Sequence, residues 1–342
     1  MIVPEKKKNN RGIALLIVLW VLVLLSVIAG EFCRAMRTEI NIIRNFKEEM
    51  QAYYIARAGF NVVLREMIRS RTRPGAPGPN PPADNGADKD SGETHWRVNA
   101  KNPAVSFANG AFTVSIDNES GKININQAGE RLLGMLFSSL DIDEKTKEII
   151  VDSILDWRDA DDLHRINGAE DNYYERQEPP YTAKNGDFDS IEELLLVRGI
   201  SAEIFYRDLK DMFTVYTAEE RSSGGSININ AASGKMLRAL PGMKEESAIA
   251  LENYRKEKDI ISLSQIPAIV GDDVYAMIAP YVSLRSSPVF TIRAVGNISG
   301  SPVKESVAAV VKTDLRMKNG YILMQWLDHP ENPLYFRKGK QE

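Results

Sequence analysis

The sequence predicts an α+β fold in which one long N-terminal helix lies on an antiparallel sheet and a large all-α domain, made of two related helical repeats, is inserted between the strands. Three observations predict it. An uncharged stretch near the amino terminus runs directly into amphipathic helical patterning, strand-like segments stand both before residue 118 and after residue 285, and the residues between carry an internal duplication.

From Ile13 to Gly30 the chain reads IALLIVLWVLVLLSVIAG, eighteen residues without a charge. That is about the minimum for a helix that spans a bilayer. Lys6, Lys7, Lys8 and Arg11 precede it, and such a basic cluster keeps its end cytoplasmic and sends the remainder outward. A removable secretory signal begins in the same way and would be cut after small residues, for which Ser26, Ala29 and Gly30 could serve. The helical pattern, however, continues through Phe32, Met36, Ile40, Ile43, Phe46, Met50, Tyr53, Phe60, Leu64 and Met67 as one stripe. Residues 13–30 therefore form the transmembrane part and residues 31–70 its amphipathic continuation. A helix from Ile13 to Arg69 extends roughly 85 Å at about 1.5 Å per residue.

Residues 71–93 contain five prolines and four glycines and little that is apolar, the composition of a solvated loop. Trp96 to Val98 and Ala111 to Ile116 then read as strands, as do Val289 to Val295, Ser306 to Thr313 and Tyr321 to Leu327, with Gly, Asn and Pro between them. A β domain is thus expected from residues 94–117 together with 286–328, and a helical insertion from residues 118–285.

The insertion is duplicated. Ile123-Asn124-Ile125-Asn126-Gln127-Ala128, with Leu133 and Leu136, recurs 104 residues later as Ile227-Asn228-Ile229-Asn230-Ala231-Ala232, with Leu237 and Leu240. Ser190, Leu194, Val197 and Gly199 match Ser262, Ile266, Ile269 and Gly271 at a spacing of only 72 residues. The first repeat, about 118–222, therefore holds some 32 more residues between these blocks than the second, about 223–285. Helices are expected over Glu130 to Phe137, Glu144 to Arg158 and Ile191 to Val197 in the first copy, and over Gly234 to Leu240, Glu245 to Glu257 and Leu263 to Ile269 in the second. Val197-Arg198-Gly199-Ile200 and Leu240-Pro241-Gly242-Met243 resemble the hairpins of helix-hairpin-helix DNA-binding modules. A DNA-binding protein is one alternative reading, but Glu192, Glu193, Glu245 and Glu246 beside those turns oppose phosphate contacts, and 43 basic against 47 acidic residues leave no basic excess.

The additional residues of the first repeat run from Asp159 to Asp189 and include nine Asp or Glu against three Lys or Arg. Composition alone serves a solvated acidic face equally well. Tyr173, Tyr174, Pro179, Pro180, Tyr181 and Phe188 argue for an ordered loop whose carboxylates would repel unless a cation neutralised them. Oxygen donors without Cys or clustered His suit calcium. His95, His164 and His329 stand in unrelated contexts with no nucleophile motif, and no phosphate-cradling glycine loop is present. The acidic loop still leaves open a signal-anchored enzyme acting on polysaccharide through an acid and base pair, although a non-enzymatic role is the simpler expectation. The single cysteine, Cys33, excludes an intrachain disulfide.

The short basic leader ending at Gly12, with the apolar run beginning at Ile13, resembles the type IV pilin superfamily. Asp156-Trp157-Arg158-Asp159-Ala160-Asp161, Gly168-Ala169-Glu170-Asp171, Tyr173-Tyr174, Pro179-Pro180-Tyr181 and Asn185 resemble the K-type minor pseudopilins of type II secretion in particular. The resemblance spans Gly12 to about Thr313. It implies a pilin-like fold, removal of residues 1–12 by a prepilin peptidase, methylation of the new amino terminus at Ile13, and residence in the inner membrane with the body in the periplasm. Most pilins carry a glutamate at the fifth mature position, where this chain has Ile17. The K type typically lacks it and is thought to cap the fibre tip. The resemblance further implies partnership with the I-type and J-type minor pseudopilins and the inner-membrane secretion platform, no nucleic-acid partner, and calcium at the loop. Asp159, Asp161, Glu170, Asp171 and Asn185 are the first-choice ligands, with Asp162 and Asn167 second.

Overall fold

The computed structural model describes residues 11–72, 96–100, 102–216 and 226–330, and of residues 11–14 and 71–72 the backbone alone. The expected leader up to residue 10 and nearly all of the Pro/Gly-rich loop lie outside the described residues.

Helix α1 (Arg11–Thr72) is a single 62-residue helix. Its apolar residues divide into two fates. Those from Leu15 through Met50, including Trp20, Phe32, Ile40, Ile43 and Phe46, are exposed, whereas Ala52, Ile55, Ala56, Phe60, Val63, Leu64 and Met67 are buried. The buried set recurs at three and four residues, as an amphipathic helix requires. The uncovered part projects from the body for roughly 60 Å at about 1.5 Å per residue, and no other part of the described chain covers it.

The buried face of α1 lies on a five-stranded antiparallel sheet of order β1-β2-β7-β8-β9. Its strands are β1 (Val105–Phe107), β2 (Gly110–Asn118), β7 (Val289–Ile298), β8 (Lys304–Thr313) and β9 (Tyr321–Asp328). Phe112, Val114, Ile116, Ile292, Ala294, Val307, Ala309 and Val311 form the core between helix and sheet. Alternation along β2 places these residues inward and Thr113 and Asp117 outward. The helix comes close because glycine lies opposite it. A Cβ on Gly296 would lie 2.2 Å from the Ala52 carbonyl oxygen, and one on Gly59 would lie 2.6 Å from the Phe112 ring. Trp96 to Val98, expected as a strand, is irregular backbone. Asn99 adopts φ 56° there, and its Oδ1 accepts from the Asn118 N–H (2.8 Å), so the two apolar residues are buried without a ladder.

Residues 119–288 leave the sheet at β2 and return at its neighbour β7, where Asn118 pairs with Phe290. The exit and the return are clasped together. Asn118 Oδ1 accepts from the Ser287 N–H (3.0 Å), and its Nδ2 donates to the Ser287 carbonyl (2.7 Å) and Ser286 Oγ (3.0 Å).

Within the insertion the first copy comprises β3 (Ile123–Asn124), α2 (Glu130–Ser138), α3 (Glu144–Arg158), α4 (Asp171–Tyr174), α5 (Ala202–Ile204) and β4 (Phe213–Thr214). The second comprises β5 (Ile227–Asn228), α6 (Gly234–Arg238), α7 (Glu245–Glu257), α8 (Pro267–Val270), α9 (Asp272–Ile278) and β6 (Val282–Ser283). Each copy closes on a parallel strand pair, β3 with β4 and β5 with β6. Ile191–Leu196 and Leu263–Gln265 are 3-10 turns rather than α-helix, each started by a capping box at Ser190 or Ser262. The copies also share their polar ties. Asn126 exchanges two hydrogen bonds with the backbone of Phe188 (2.9 and 2.8 Å), and Asn230 does the same with Ile260 (2.8 and 3.0 Å). Arg158 donates to the Ile125 and Ala128 carbonyls just as Arg255 donates to those of Ile229 and Ala232. The two Asn ties close segments of 62 and 30 residues, a difference of 32 that is the acidic loop.

Candidate metal centre

The acidic loop leaves the C-terminal end of α3 at Asp159 and rejoins the repeat at Phe188. Its own apolar side chains give it a core. Trp157 meets Tyr174 edge-on with centroids 5.1 Å apart, Phe188 stacks at 6.3 Å, and Tyr181 lies 5.3 Å from Tyr174. Trp157, Tyr174 and Phe188 are buried. The rejoining end is tied by Lys184, whose Nζ contacts Asp189 (2.7 Å) and Glu193 (2.9 Å). Arg198 donates to the Gly168 carbonyl (2.9 Å) and lies over the Tyr173 ring at 4.8 Å.

This frame holds several carboxyl groups near one another. Asp156 is fully buried, and a Cβ on Gly168 would lie 1.8 Å from its Oδ2, so only glycine lets the loop pass there. Arg165 Nη1 bridges Asp156 Oδ1 (2.6 Å) and Asp159 Oδ2 (2.7 Å). Burial raises the Asp156 carboxyl even against that guanidinium. Glu170 is 3% exposed, and both of its oxygens are buried without a hydrogen-bond partner, as are Asp159 Oδ1 and Asn185 Oδ1. Burial first, and then the negative charges of Asp156, Asp159, Asp162 and Asp171, push the Glu170 carboxyl up to about 7.

The remaining candidates are placed differently. Asp161 Oδ1 accepts from the Leu163 N–H (2.9 Å), Asp171 Oδ1 from the Ala183 N–H (2.7 Å), and Asp162 Oδ1 from Asn185 Nδ2 (3.0 Å). Asn167 turns toward α3, where its N–H donates to Asp152 Oδ2 (3.0 Å). Asn185 adopts φ 49°, a left-handed conformation that asparagine tolerates. Among the described residues no three His, Cys, Asp or Glu side chains close tightly enough to form a metal cluster by themselves. The loop instead offers unpartnered oxygens from two carboxylates and one carboxamide. That donor set fits a hard cation, because an orphaned buried carboxylate is costly until a positive charge meets it. Neither the Arg165 bridge nor the Gly168 approach is signalled by the loop's composition.

At the amino terminus, Gly12 and Ile13 lie in the first turns of α1, and Ile17 is exposed on it. His164 is exposed on the loop, His329 contacts Glu305 (2.5 Å), and His95 lies outside the described residues.

A family model for type II secretion system protein K matches residues 109–218, the span that contains β2, the whole first copy and the acidic loop. Type II secretion system protein K of Pseudomonas aeruginosa is 25% identical over 82% of this chain and 85% of its own length. Over these residues the chain is similar to the type II secretion system protein K family. Its protein K relative in Pectobacterium carotovorum is 28% identical over 66% of this chain and 67% of that protein. The fold is similar to that of a chain in the crystal structure of the GspK-GspI-GspJ complex from enterotoxigenic Escherichia coli. There the TM-score is 0.53 and the identity 19%, over 84% of this chain and 98% of the other.

Proposed function

We propose that the chain is a minor pseudopilin that caps the tip of the type II secretion pseudopilus and helps to start its assembly for export of folded proteins. The observation that carries this is α1, which has an uncovered apolar half at its membrane end and a buried half that forms one layer of the body. Such a helix anchors the chain once in the inner membrane, with its basic amino terminus cytoplasmic and the body periplasmic. The uncovered stripe from Phe32 to Met50 gives the helices of other pseudopilins a surface to lie along. Relatives of the I and J types are the natural partners, since a protein K is named in complex with them. Prepilin peptidase cuts after Gly12 and leaves Ile13 to be methylated, and the inner-membrane platform receives the mature subunit. With Ile17 at the fifth mature position, no carboxylate seeks a preceding subunit's amino terminus, which suits a subunit with nothing ahead of it.

Calcium is the proposed cofactor of the acidic loop. Asp159, Glu170 and Asn185 would hold it through their unpartnered oxygens, with Asp162 and Asp171 near Glu170 and Asp161 elsewhere in the same loop. The ion supplies positive charge to a frame that otherwise carries uncompensated carboxylates.

Amino-terminal sequencing of the protein purified from membranes tests the reading. A mature chain that begins at a methylated Ile13 and co-purifies with the I-type and J-type subunits is expected. Cleavage after Gly30, or release into the soluble fraction, would falsify it.

A further inference from the structure

We infer that Arg165 is a built-in counter-cation of the metal site, one that holds the loop's carboxylates before an ion arrives and lowers the affinity with which the ion then binds. The inference rests on the calcium reading above and assigns to the site a residue that donates nothing to the metal.

The geometry makes Arg165 the bridge between two carboxylates of different character. Asp156 has no exposure, and the Arg165 backbone N–H also donates to it, at 3.0 Å to Oδ2. The guanidinium Nη1 then joins Asp156 Oδ1 to Asp159 Oδ2 at 2.6 and 2.7 Å. It leaves the other Asp159 oxygen, and both oxygens of Glu170, without a partner. Arg165 therefore neutralises one side of the cluster and stops short of the other. The side it serves is the one that could not stay buried alone, because a buried carboxylate without a partner is strongly destabilising.

The second repeat shows that this arrangement belongs to the loop and not to the repeat. Arg158 and Arg255 make the same carbonyl contacts, so Asp156 and Asp159 correspond to Asn253 and Lys256. The copy without an acidic loop has an amide and a cation at those places, and needs no arginine across from them. At these two positions only the loop-bearing copy has acids, and the guanidinium that bridges them comes from its loop.

A fixed positive charge beside the empty oxygens opposes a divalent ion, and Coulomb repulsion at protein distances makes one such charge worth about tenfold in affinity. Calcium titrations by calorimetry on the full chain in detergent test this. Arg165→Gln is expected to bind calcium about tenfold more tightly than the wild type, and Asp156→Asn, which hands the guanidinium wholly to Asp159, about tenfold more weakly. A guanidinium that merely braces the loop predicts the reverse for Arg165→Gln, since a loosened site binds less well, and that result overturns the inference. If Arg165→Gln does not fold, Asp156→Asn still tests the inference, and unchanged affinity in that variant overturns it. Absence of any calcium binding by the wild type overturns the calcium reading and this inference with it. Calcium binding by the wild type with affinities unmoved by either substitution removes the inference and leaves the calcium reading standing.

Discussion

At Glu170 a carboxyl group is held in the form that water would not choose. Its folded value near 7 lies above the ordinary value of 4.5, because burial and four neighbouring aspartates disfavour its charge. A raised carboxyl favours folding fully below its unfolded value and loses that contribution as pH rises through about 7. Metal-free protein should therefore lose up to about 3 kcal/mol from this group between pH 4.5 and 7.5, readable as a falling urea midpoint. Glu170→Gln should flatten that fall and raise the metal-free melting temperature, while removing the calcium-dependent rise. The two asparagine ties make a second residue-scale case. Asn126→Ala and Asn230→Ala each strip a backbone N–H and a carbonyl of their partner. Each should cost about 1–3 kcal/mol in urea unfolding, and an equal cost at both sites would show that the repeats are closed by the same device.

Among the elements, α1 is the one whose two halves are governed by different solvents. From Ala52 onward it lies against the sheet across a seam of small residues, and Gly296 permits the approach to the Ala52 carbonyl. Gly296→Ala must push helix and strand apart, so a loss of about 1–3 kcal/mol is expected, with the melting temperature falling accordingly. Thr113→Ala, outward on the neighbouring strand, should leave it within about 0.5 kcal/mol. The acidic loop is a second element with its own interior, centred on Trp157 and Tyr174. Trp157→Ala should cost about 3–5 kcal/mol. Limited proteolysis should then cut within residues 159–189 before it cuts the sheet; cuts falling elsewhere would mean that the loop does not depend on this aromatic core.

On the scale of the whole molecule, a membrane helix, a sheet and a duplicated insertion are joined in series. The insertion is joined to the sheet through β2 and β7, and the Asn118 clasp holds its two ends together there. Calcium bound to the loop should stabilise the insertion alone. Chelator is therefore expected to lower the melting temperature of the body without changing co-purification with the I-type and J-type subunits, if those subunits are held along α1. A loss of both together would place the partner surface on the insertion instead.

The amino-acid sequence by itself determined the class of the fold, because eighteen uncharged residues followed by one apolar stripe admit hardly any structure but a long anchored helix. The alternating strands and the repeated Ile-Asn-Ile-Asn block were equally readable, since both follow from side-chain period and spacing. Trp96 to Val98 misled, because burial of apolar residues does not require a ladder, and the backbone there is turned by Asn99 and bonded to Asn118. The acids of the loop could be marked by pattern, whereas their inequality could not. Which oxygens accept a local N–H and which are left alone depends on how the aromatic core folds the loop. Only tertiary structure puts Arg165 on Asp156 and Asp159, and leaves Glu170 without a partner. Periodicity is a local property of the chain, but charge compensation is a property of distances, and the chain has those distances only once it is folded.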